Sequence, residues 1–196
     1  MVSEFSSART FKEDVQSRLQ RLTPRIVKDG VAGEAAVLIS LIVEGDLPKF
    51  LLTRRTEHVS THKGQISFPG GGRHREDDTL LETAVRETQE ELGIGPETLE
   101  VTGRFHDYVA VTGIRVASFV GFLQGELIFE PDPLEVAYLL KVPLRFFEES
   151  RPVVRRYHRL GRERDVYFYN YGGEEVWGLT AQIIRDFLHL INSTGQ

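Results

Sequence analysis

Three glutamates lie close together in the segment Arg86–Gly93 and could bind a cation. At about 100° per residue, Glu87 and Glu91 are neighbours one helical turn apart, and Glu90 stands beside them. Hard divalent cations such as Mg²⁺ prefer carboxylate oxygens and often complete their coordination with substrate phosphates, and Mn²⁺ suits the same ligands. The pattern therefore predicts a Mg²⁺ site, with Mn²⁺ as a substitute. A solvated acidic helix face is the alternative.

The flanks of this acidic segment carry groups that suit a phosphate-containing ligand. A triple glycine, Gly70 to Gly72, precedes it and allows the backbone to fold tightly and approach a ligand closely. Arg86 can reach Glu90 across one helical turn and hold the acidic cluster in position. The polar segment before the glycines suits phosphate oxygens and contains Arg54, Arg55, His58, His62 and Lys63.

Two strands and one helix must position these groups. The continuous apolar run from Glu34 to Val43 predicts a buried strand, and Phe50 to Thr53 predicts a second strand that pairs with it. The turn between them falls at Gly45-Asp46. From Thr79 the pattern is helical, with a cap at Gly93. The expected apolar stripe of this helix is Leu81, Val85, Thr88 and Leu92.

The remaining pattern predicts an α/β (α+β) fold, a mixed β-sheet sandwiched between helices, because the strands do not alternate regularly with helices. A first helix is expected at 11–22 and a closing helix at 180–191. Further strands are expected at 100–101, 105–109, 116–122, 138–142 and 166–171. We expect a helical arm, residues 1–33, packed on a single domain, residues 34–196.

Composition narrows the function classes. The net charge of −5 weighs against a general nucleic-acid binder, and the absence of cysteine excludes a disulfide scaffold, a thiolate zinc site and a cysteine nucleophile. The longest apolar run is too short to cross a bilayer, and the N-terminus lacks the features of a signal peptide. We therefore expect a cytoplasmic protein that binds neither nucleic acid nor membrane.

The segment Gly72–Ile94 resembles the signature of the Nudix hydrolase family. That signature is Gly, five residues, Glu, seven residues, Arg-Glu, an apolar residue, any residue, Glu-Glu, any residue, Gly and an apolar residue. The chain departs from it where Asp78 replaces Glu and where Thr88 replaces an apolar residue. Asp77 could share the role of Asp78 if the loop is counted from Gly71.

Two upstream segments, Leu51–Thr56 and Gly64–Gly71, look like the signature of the coenzyme A pyrophosphatase branch of that family. The branch signature has Ser or Ala where Thr56 stands and a basic residue near Ser60. Three further segments are similar to the branch: Val111–Gly113, Pro133–Val136 and Trp177–Ala181. The resemblance covers roughly residues 34–190.

The resemblance implies a metal-dependent enzyme that hydrolyses the pyrophosphate bond of coenzyme A or its derivatives to 3′,5′-ADP and 4′-phosphopantetheine. It implies that Glu87 and Glu91 bind the metal, with Glu90 as a third ligand or a positioner of the water, and that Arg86 orients the carboxylates. The backbone of Gly70 to Gly72, with Gly71 as the candidate, would add an oxygen ligand. The expected substrate-binding residues are Arg54, Arg55, His62, Gly70 and Gly72. Glu87, Glu90 and Glu135 are all candidates for the general base.

Several alternatives stay open. The enzyme could act on another nucleoside diphosphate derivative such as ADP-ribose or a dinucleotide, or the chain could be a catalytically silent nucleotide sensor. His58 and His62 could bind zinc, although loop hydrogen bonding is the simpler expectation. The basic run from Arg151 to Arg164 could bind the 3′-phosphate of coenzyme A, but a solvated surface loop is expected there. Monomer and homodimer are both open.

Overall fold

The computed structural model describes residues 8–57, 63–159 and 162–193. In chain order its helices are α1 (Ala8–Arg21), α2 (Leu80–Leu92), α3 (Leu144–Glu149) and α4 (Gly178–Asn192), with a 3₁₀ turn at Pro96–Thr98. Its strands are β1 (Gly33–Glu44), β2 (Leu47–Arg55), β3 (Ile66–Ser67), β4 (Gly70–Gly72), β5 (Leu99–Val109), β6 (Ile114–Leu123), β7 (Val136–Pro143), β8 (Val153–Arg159), β9 (Arg162–Tyr171) and β10 (Glu174–Trp177).

Strand β1 is the centre of the main sheet. It pairs in parallel with β6 and antiparallel with β2 and β4. The main sheet follows the order β3-β2-β1-β6-β5. Strand β7 also pairs with β2. A central strand covered on both faces reads as a continuous apolar run, and Leu38, Ile39 and Leu41 are indeed fully buried. The sheet is therefore mixed, as the sequence predicted.

Helices cover both faces of this sheet. On one face, Leu80 and Ala84 of α2 pack with Leu38 of β1. On the other face, α1, α3 and α4 enclose a larger core. There, Phe50 of β2 makes edge-to-face contacts with Phe187 of α4 at a centroid distance of 5.8 Å. The predicted sandwich of a mixed sheet between helices is confirmed.

The apolar stripe expected on α2 was partly wrong. Leu81 is 38% exposed, while Leu80 and Ala84 are buried in its place. Thr88 and Leu92 are buried, as expected. The error amounts to a rotation of about one residue at the start of the helix, or about 100°. Because Leu80 and Leu81 are both leucines, hydrophobicity alone could not decide which one faces the sheet.

The basic run from Arg151 to Arg164 is not the surface loop that was expected. Most of it forms the antiparallel hairpin of β8 and β9, and β10 completes a separate three-stranded sheet. Valine and tyrosine, which favour strands, are mixed with the arginines of this run. The high density of charge in this run instead suggested a solvated loop. The same hairpin ladder joins Val153 to Phe168 and Arg155 to Val166.

Helix α1 lies against β5 and α4. Lys12 donates to the Glu100 carboxylate of β5, and the Arg18 guanidinium donates to the carbonyl of Leu190 in α4 at 3.0 Å. Phe11 and Val15 are buried in the main core. In the part of the chain that the structure describes, no helix is both long and apolar enough to cross a membrane.

Candidate active site

The acidic helix α2 is fixed at both ends by its own sequence. Thr79 and Glu82 form a capping box, in which each side chain accepts a hydrogen bond from the other residue's backbone. Gly93 ends the helix with a φ of 62°, a left-handed conformation that favours glycine. The backbone that carries the three glutamates is therefore held rigidly against the sheet.

Arg86 is the centre of the charged network on this helix. Its Nε donates to Asp77 Oδ1 at 3.0 Å and its Nη2 to Asp77 Oδ2 at 2.9 Å. Its Nη1 donates to Glu87 at 2.9 Å and to Glu90 at 3.0 Å. Nη2 also reaches the Gly72 carbonyl at 3.2 Å. A guanidinium with a fixed fork of donors suits such a role, and here it ties the glycine strand to the acidic helix.

Asp77, not Asp78, holds the carboxylate that anchors Arg86. Asp77 is buried, and its Oδ2 also accepts from the Thr83 hydroxyl and the His74 backbone N–H, both at 2.9 Å. The hydrogen bonds from Arg86 hold the pKa of Asp77 well below its usual range. Asp78 is exposed and its side chain has no hydrogen-bond partner among the described residues. Asp77 therefore takes the place of the signature's first carboxylate, as expected when the loop is counted from Gly71.

Glu91 is a buried carboxylate at the base of the site, only 2% exposed. The Arg55 guanidinium donates to Oε1 at 3.0 Å, and the Gly70 N–H donates to Oε2 at 3.3 Å. Burial raises the pKa of Glu91 to about 7, although Arg55 and the Gly70 N–H both oppose that shift. The two partners thus compensate only part of the cost of burying this charge.

Glu87 packs directly on the glycine strand. A Cβ atom built at Gly71 would overlap the Glu87 carboxylate, whereas a Cβ at Gly72 would meet no atom within 4 Å. Burial raises the pKa of Glu87, and the neighbouring Arg86 opposes the shift. The absence of a side chain at Gly71 is therefore what allows this carboxylate to lie against the backbone.

The chemistry of these groups fits a divalent cation. Within residues 8–57, 63–159 and 162–193, no three His, Asp or Glu side chains already form a metal-ligand cluster. However, half-buried Glu87 and buried Glu91 are adjacent carboxylates whose burial is incompletely compensated. They supply the hard oxygen atoms that such ions prefer. The Nε of Arg55 is also buried without a partner, so the site retains an unsatisfied donor beside these acids.

Arg54 and Arg55 lie on opposite faces of the main sheet, as alternation along a strand requires. Arg55 faces the acidic helix. Arg54 instead donates to Glu174 of β10 at 2.6 Å, and Tyr138 also donates to Glu174. The structure therefore brings Arg55, but not Arg54, to the carboxylates of α2.

Of the other expected site residues, Glu135 and Glu90 are exposed, and two histidines fall outside the described part of the chain. Glu135 is exposed, and its charge contributes to raising the pKa of Glu91. Its carbonyl accepts from the Thr56 N–H at 2.9 Å, and the Thr56 hydroxyl donates to the Leu134 carbonyl. Glu90 is on the exposed side of α2, with its side chain 60% exposed. His58 and His62 lie outside the described residues, so the zinc and substrate roles considered for them stay predictions.

Sequence reasoning missed the residues that support Asp77. Thr83 and His74 both donate to its carboxylate. A signal existed for Thr83, since it is a polar residue close to the predicted core face of the first helical turn. No comparable signal identified His74, because its contribution is made by the backbone N–H and not by the imidazole.

Comparisons with known proteins match this chain to the family whose signature it resembles. The NUDIX domain family model matches residues 34–141. An uncharacterized Nudix hydrolase, NudL from Enterobacter sp. (strain 638), is 35% identical over 179 residues, which span 89% of this chain and 91% of that protein. The Yersinia enterocolitica protein of the same name is 36% identical over 191 residues, which span 95% of each chain.

A solved structure supports the fold independently. The crystal structure of DR0079 from Deinococcus radiodurans matches with a TM-score of 0.53 and 15% identity, covering 82% of this chain and 89% of that one. At this identity the likeness concerns the fold alone. Together with the family match and the arrangement of α2, the comparisons establish that the chain belongs to the Nudix hydrolase family and is a hydrolase of pyrophosphate bonds.

Proposed function

We propose that this hydrolase is a Mg²⁺-dependent pyrophosphatase of coenzyme A or its derivatives, with Mn²⁺ as a substitute. The products would be 3′,5′-ADP and 4′-phosphopantetheine. We further propose a cytoplasmic location and a small-molecule substrate.

One structural relationship carries this proposal. The segments that resemble the coenzyme A branch, Leu51–Thr56 and Gly64–Gly71, both contact Glu91 of the acidic helix. Arg55 from the first segment and the Gly70 N–H from the second both donate to Glu91. The residues that suggest the substrate and the residues that suggest the chemistry are therefore in direct contact.

The chain's own groups suit attack by water on a pyrophosphate. Glu87 and Glu91 would hold the cation, with Glu90 and the Gly71 backbone completing the protein ligands. When bound, the cation would neutralise substrate charge and lower the pKa of water. Arg86 keeps Glu87 and Glu90 in position through Nη1. Arg55 presents a guanidinium that can grip phosphate oxygens.

The reaction adds one water across the anhydride. The water oxygen bonds to one phosphorus atom, the bridging P–O bond breaks, and the bridging oxygen leaves on the second phosphate. A carboxylate must accept the proton of the water. Glu87, Glu90 and Glu135 are the candidates, and we favour Glu135. The Glu87 and Glu90 carboxylates already accept hydrogen bonds from Arg86, whereas the Glu135 carboxylate has no hydrogen-bond partner among the described residues.

A substrate panel tests this proposal. Coenzyme A, dephospho-coenzyme A, ADP-ribose and NADH should be assayed with and without Mg²⁺, and the products identified by mass. We expect hydrolysis of coenzyme A that requires the metal. Equal hydrolysis of ADP-ribose would overturn the substrate and leave the family assignment intact. No turnover of any substrate would favour a nucleotide sensor, although the retention of Glu87, Glu90 and Glu91 argues against that function.

A further inference from the structure

The separate sheet of β8, β9 and β10 carries a cleft that the catalytic chemistry does not use. The cleft has a volume of about 280 Å³, and Arg151, Arg155 and Phe168 are among its lining residues. Ligand pockets for whole drug-sized molecules span about 300–1,000 Å³. The volume therefore suits a small group, such as a phosphate with part of the alcohol that carries it. We refer to it as the Arg151/Arg155 cleft.

One arginine of this cleft is held in place by aromatic stacking. The Arg155 guanidinium lies 4.3 Å from the centroid of the Phe168 ring. Phe168 in turn stacks on Trp177, with a centroid distance of 5.6 Å and an interplanar angle of 5°. The three side chains come from β8, β9 and β10, and they form one layer across the sheet. Stacking orients the guanidinium plane while leaving its N–H groups free to donate.

Both arginines of the cleft lack an acceptor in the described part of the chain. Neither the Arg151 nor the Arg155 side chain makes a hydrogen bond or an ion pair there. Their neighbour Arg156 behaves differently, because its guanidinium is paired with Asp165 at 2.8 Å. Arg156 projects to the opposite face of the strand, since side chains alternate. The two unpaired cations therefore converge on one cleft, and the paired cation does not.

The remaining lining indicates what the cleft can bind. Ser150 and Asn170 add neutral hydrogen-bond donors, while Phe146 and Tyr169 add apolar wall. Glu175 contributes one opposing negative charge. The two positive charges of the arginines exceed the single negative charge of Glu175, so we expect the cleft to bind an anion with moderate affinity. Arginine pairs recognise phosphate oxygens through parallel N–H donors.

We propose that the Arg151/Arg155 cleft is a binding site for a phosphate monoester. Two sources could supply that group. One is the 3′-phosphate of coenzyme A, in which case the cleft is a specificity site and rests on the proposed function. The other is a separate phosphorylated metabolite. The binding itself does not depend on the identity of the substrate.

The protein contains a built-in reporter for this test. Trp177 is the chain's single tryptophan and belongs to the stacked layer beside the cleft. Adenosine 3′-monophosphate and inorganic phosphate should be titrated into the full-length protein without added metal, following tryptophan fluorescence and ³¹P NMR in parallel. We expect saturable binding of both probes and none of adenosine. The substitution Arg155→Gln should weaken binding about ten-fold or more, because a charge-assisted hydrogen bond is lost.

The matched control is Arg156→Gln, on the same strand but on the other face. It should leave both titrations unchanged. Absence of saturable binding by both methods would overturn the proposal, as would equal weakening by Arg155→Gln and Arg156→Gln. None of these measurements requires turnover, so they are independent of the proposed activity.

Kinetics then separate the two sources. If the group belongs to the substrate, Arg155→Gln should raise the KM for coenzyme A about ten-fold and leave dephospho-coenzyme A unchanged. If it belongs to a separate metabolite, the two substrates should be affected alike while binding of the probes is still lost.

Discussion

The Arg86 guanidinium forms a two-point contact with the Asp77 carboxylate, with N···O distances of 3.0 and 2.9 Å. This contact fixes the arginine that also touches Glu87 and Glu90. Asp77 therefore helps to orient two candidate metal ligands through Arg86.

The first prediction compares Asp77→Asn with Asp78→Asn. Removing the charge of Asp77 should loosen Arg86 and reduce kcat/KM by about ten- to a hundred-fold, the usual effect of losing an outer partner of a metal site. Asp78→Asn should change little, because that side chain is exposed and unbonded among the described residues. Steady-state kinetics on both purified variants provide the measurement. If kcat/KM fell further in Asp78→Asn than in Asp77→Asn, Asp77 would not be the carboxylate that anchors Arg86.

The second prediction concerns Glu91. Glu91→Gln keeps the shape of the side chain but removes its charge, so activity should fall at least about a hundred-fold, in line with losing a principal electrostatic stabiliser. Circular dichroism should show a retained fold. Glu126→Gln, at an exposed position, serves as the control and should behave like the parent protein. Near-normal turnover by folded Glu91→Gln would remove Glu91 from the metal site.

The third prediction uses stability in place of activity. Mg²⁺ or Mn²⁺ should raise the melting temperature, because the ion binds the native state and not the unfolded chain. The double variant Glu87→Gln, Glu91→Gln should lose this response. Differential scanning fluorimetry across a metal titration provides the measurement. If the double variant shows the same shift as the parent, the ions bind elsewhere.

The fourth prediction tests the glycine strand. Gly71→Ala places a methyl group where the Glu87 carboxylate lies, whereas Gly72→Ala points into open space. Gly71→Ala should therefore lower both activity and metal affinity, and Gly72→Ala should retain both. Isothermal titration with Mn²⁺ separates loss of metal from loss of turnover. Comparable behaviour of the two alanine variants would contradict the packing of Glu87 on Gly71.

The fifth prediction concerns the substrate. We expect kcat/KM to fall in the order coenzyme A, dephospho-coenzyme A, ADP-ribose. Dephospho-coenzyme A lacks the 3′-phosphate, and loss of a hydrogen bond to that charged group costs about 1.5–3 kcal/mol, or roughly ten- to a hundred-fold in kcat/KM. Arg55→Lys should be impaired on all three substrates, because lysine cannot reproduce a two-point grip on phosphate. Arg54→Lys is the matched control, since Arg54 pairs with Glu174 on the other sheet face. Equal impairment of the two variants would argue against a specific role of Arg55.

Much of the architecture could be predicted from the sequence because the key elements have strong local signals. The apolar run of β1 and the capped, periodic helix α2 both appear where they were expected. Gly93 takes the left-handed conformation predicted for a cap. These features depend on residues close together in the sequence, so they can be predicted without knowledge of the tertiary contacts.

The errors arose where distant contacts decide the outcome. Leu81 was expected in the core, but packing against the sheet selected Leu80. The β8–β9 hairpin was hidden by its arginines, whose environment depends on partners such as Asp165 and Phe168. Similarly, Arg54 and Arg55 were both expected to bind substrate, but the carboxylates that they meet, Glu174 and Glu91, place them on opposite faces of the sheet.

The neighbouring arginines of β2 have a consequence for how this strand finds its place. Its middle residues, Phe50, Leu51 and Leu52, are all fully buried, so either face could enter either core. A one-residue slip exchanges the two faces of a strand, and this apolar middle does little to oppose it. Arg54 and Arg55 do oppose it, because each meets a carboxylate on its own side. The arginine that faces the candidate metal-binding carboxylates therefore also helps to set the register of its strand.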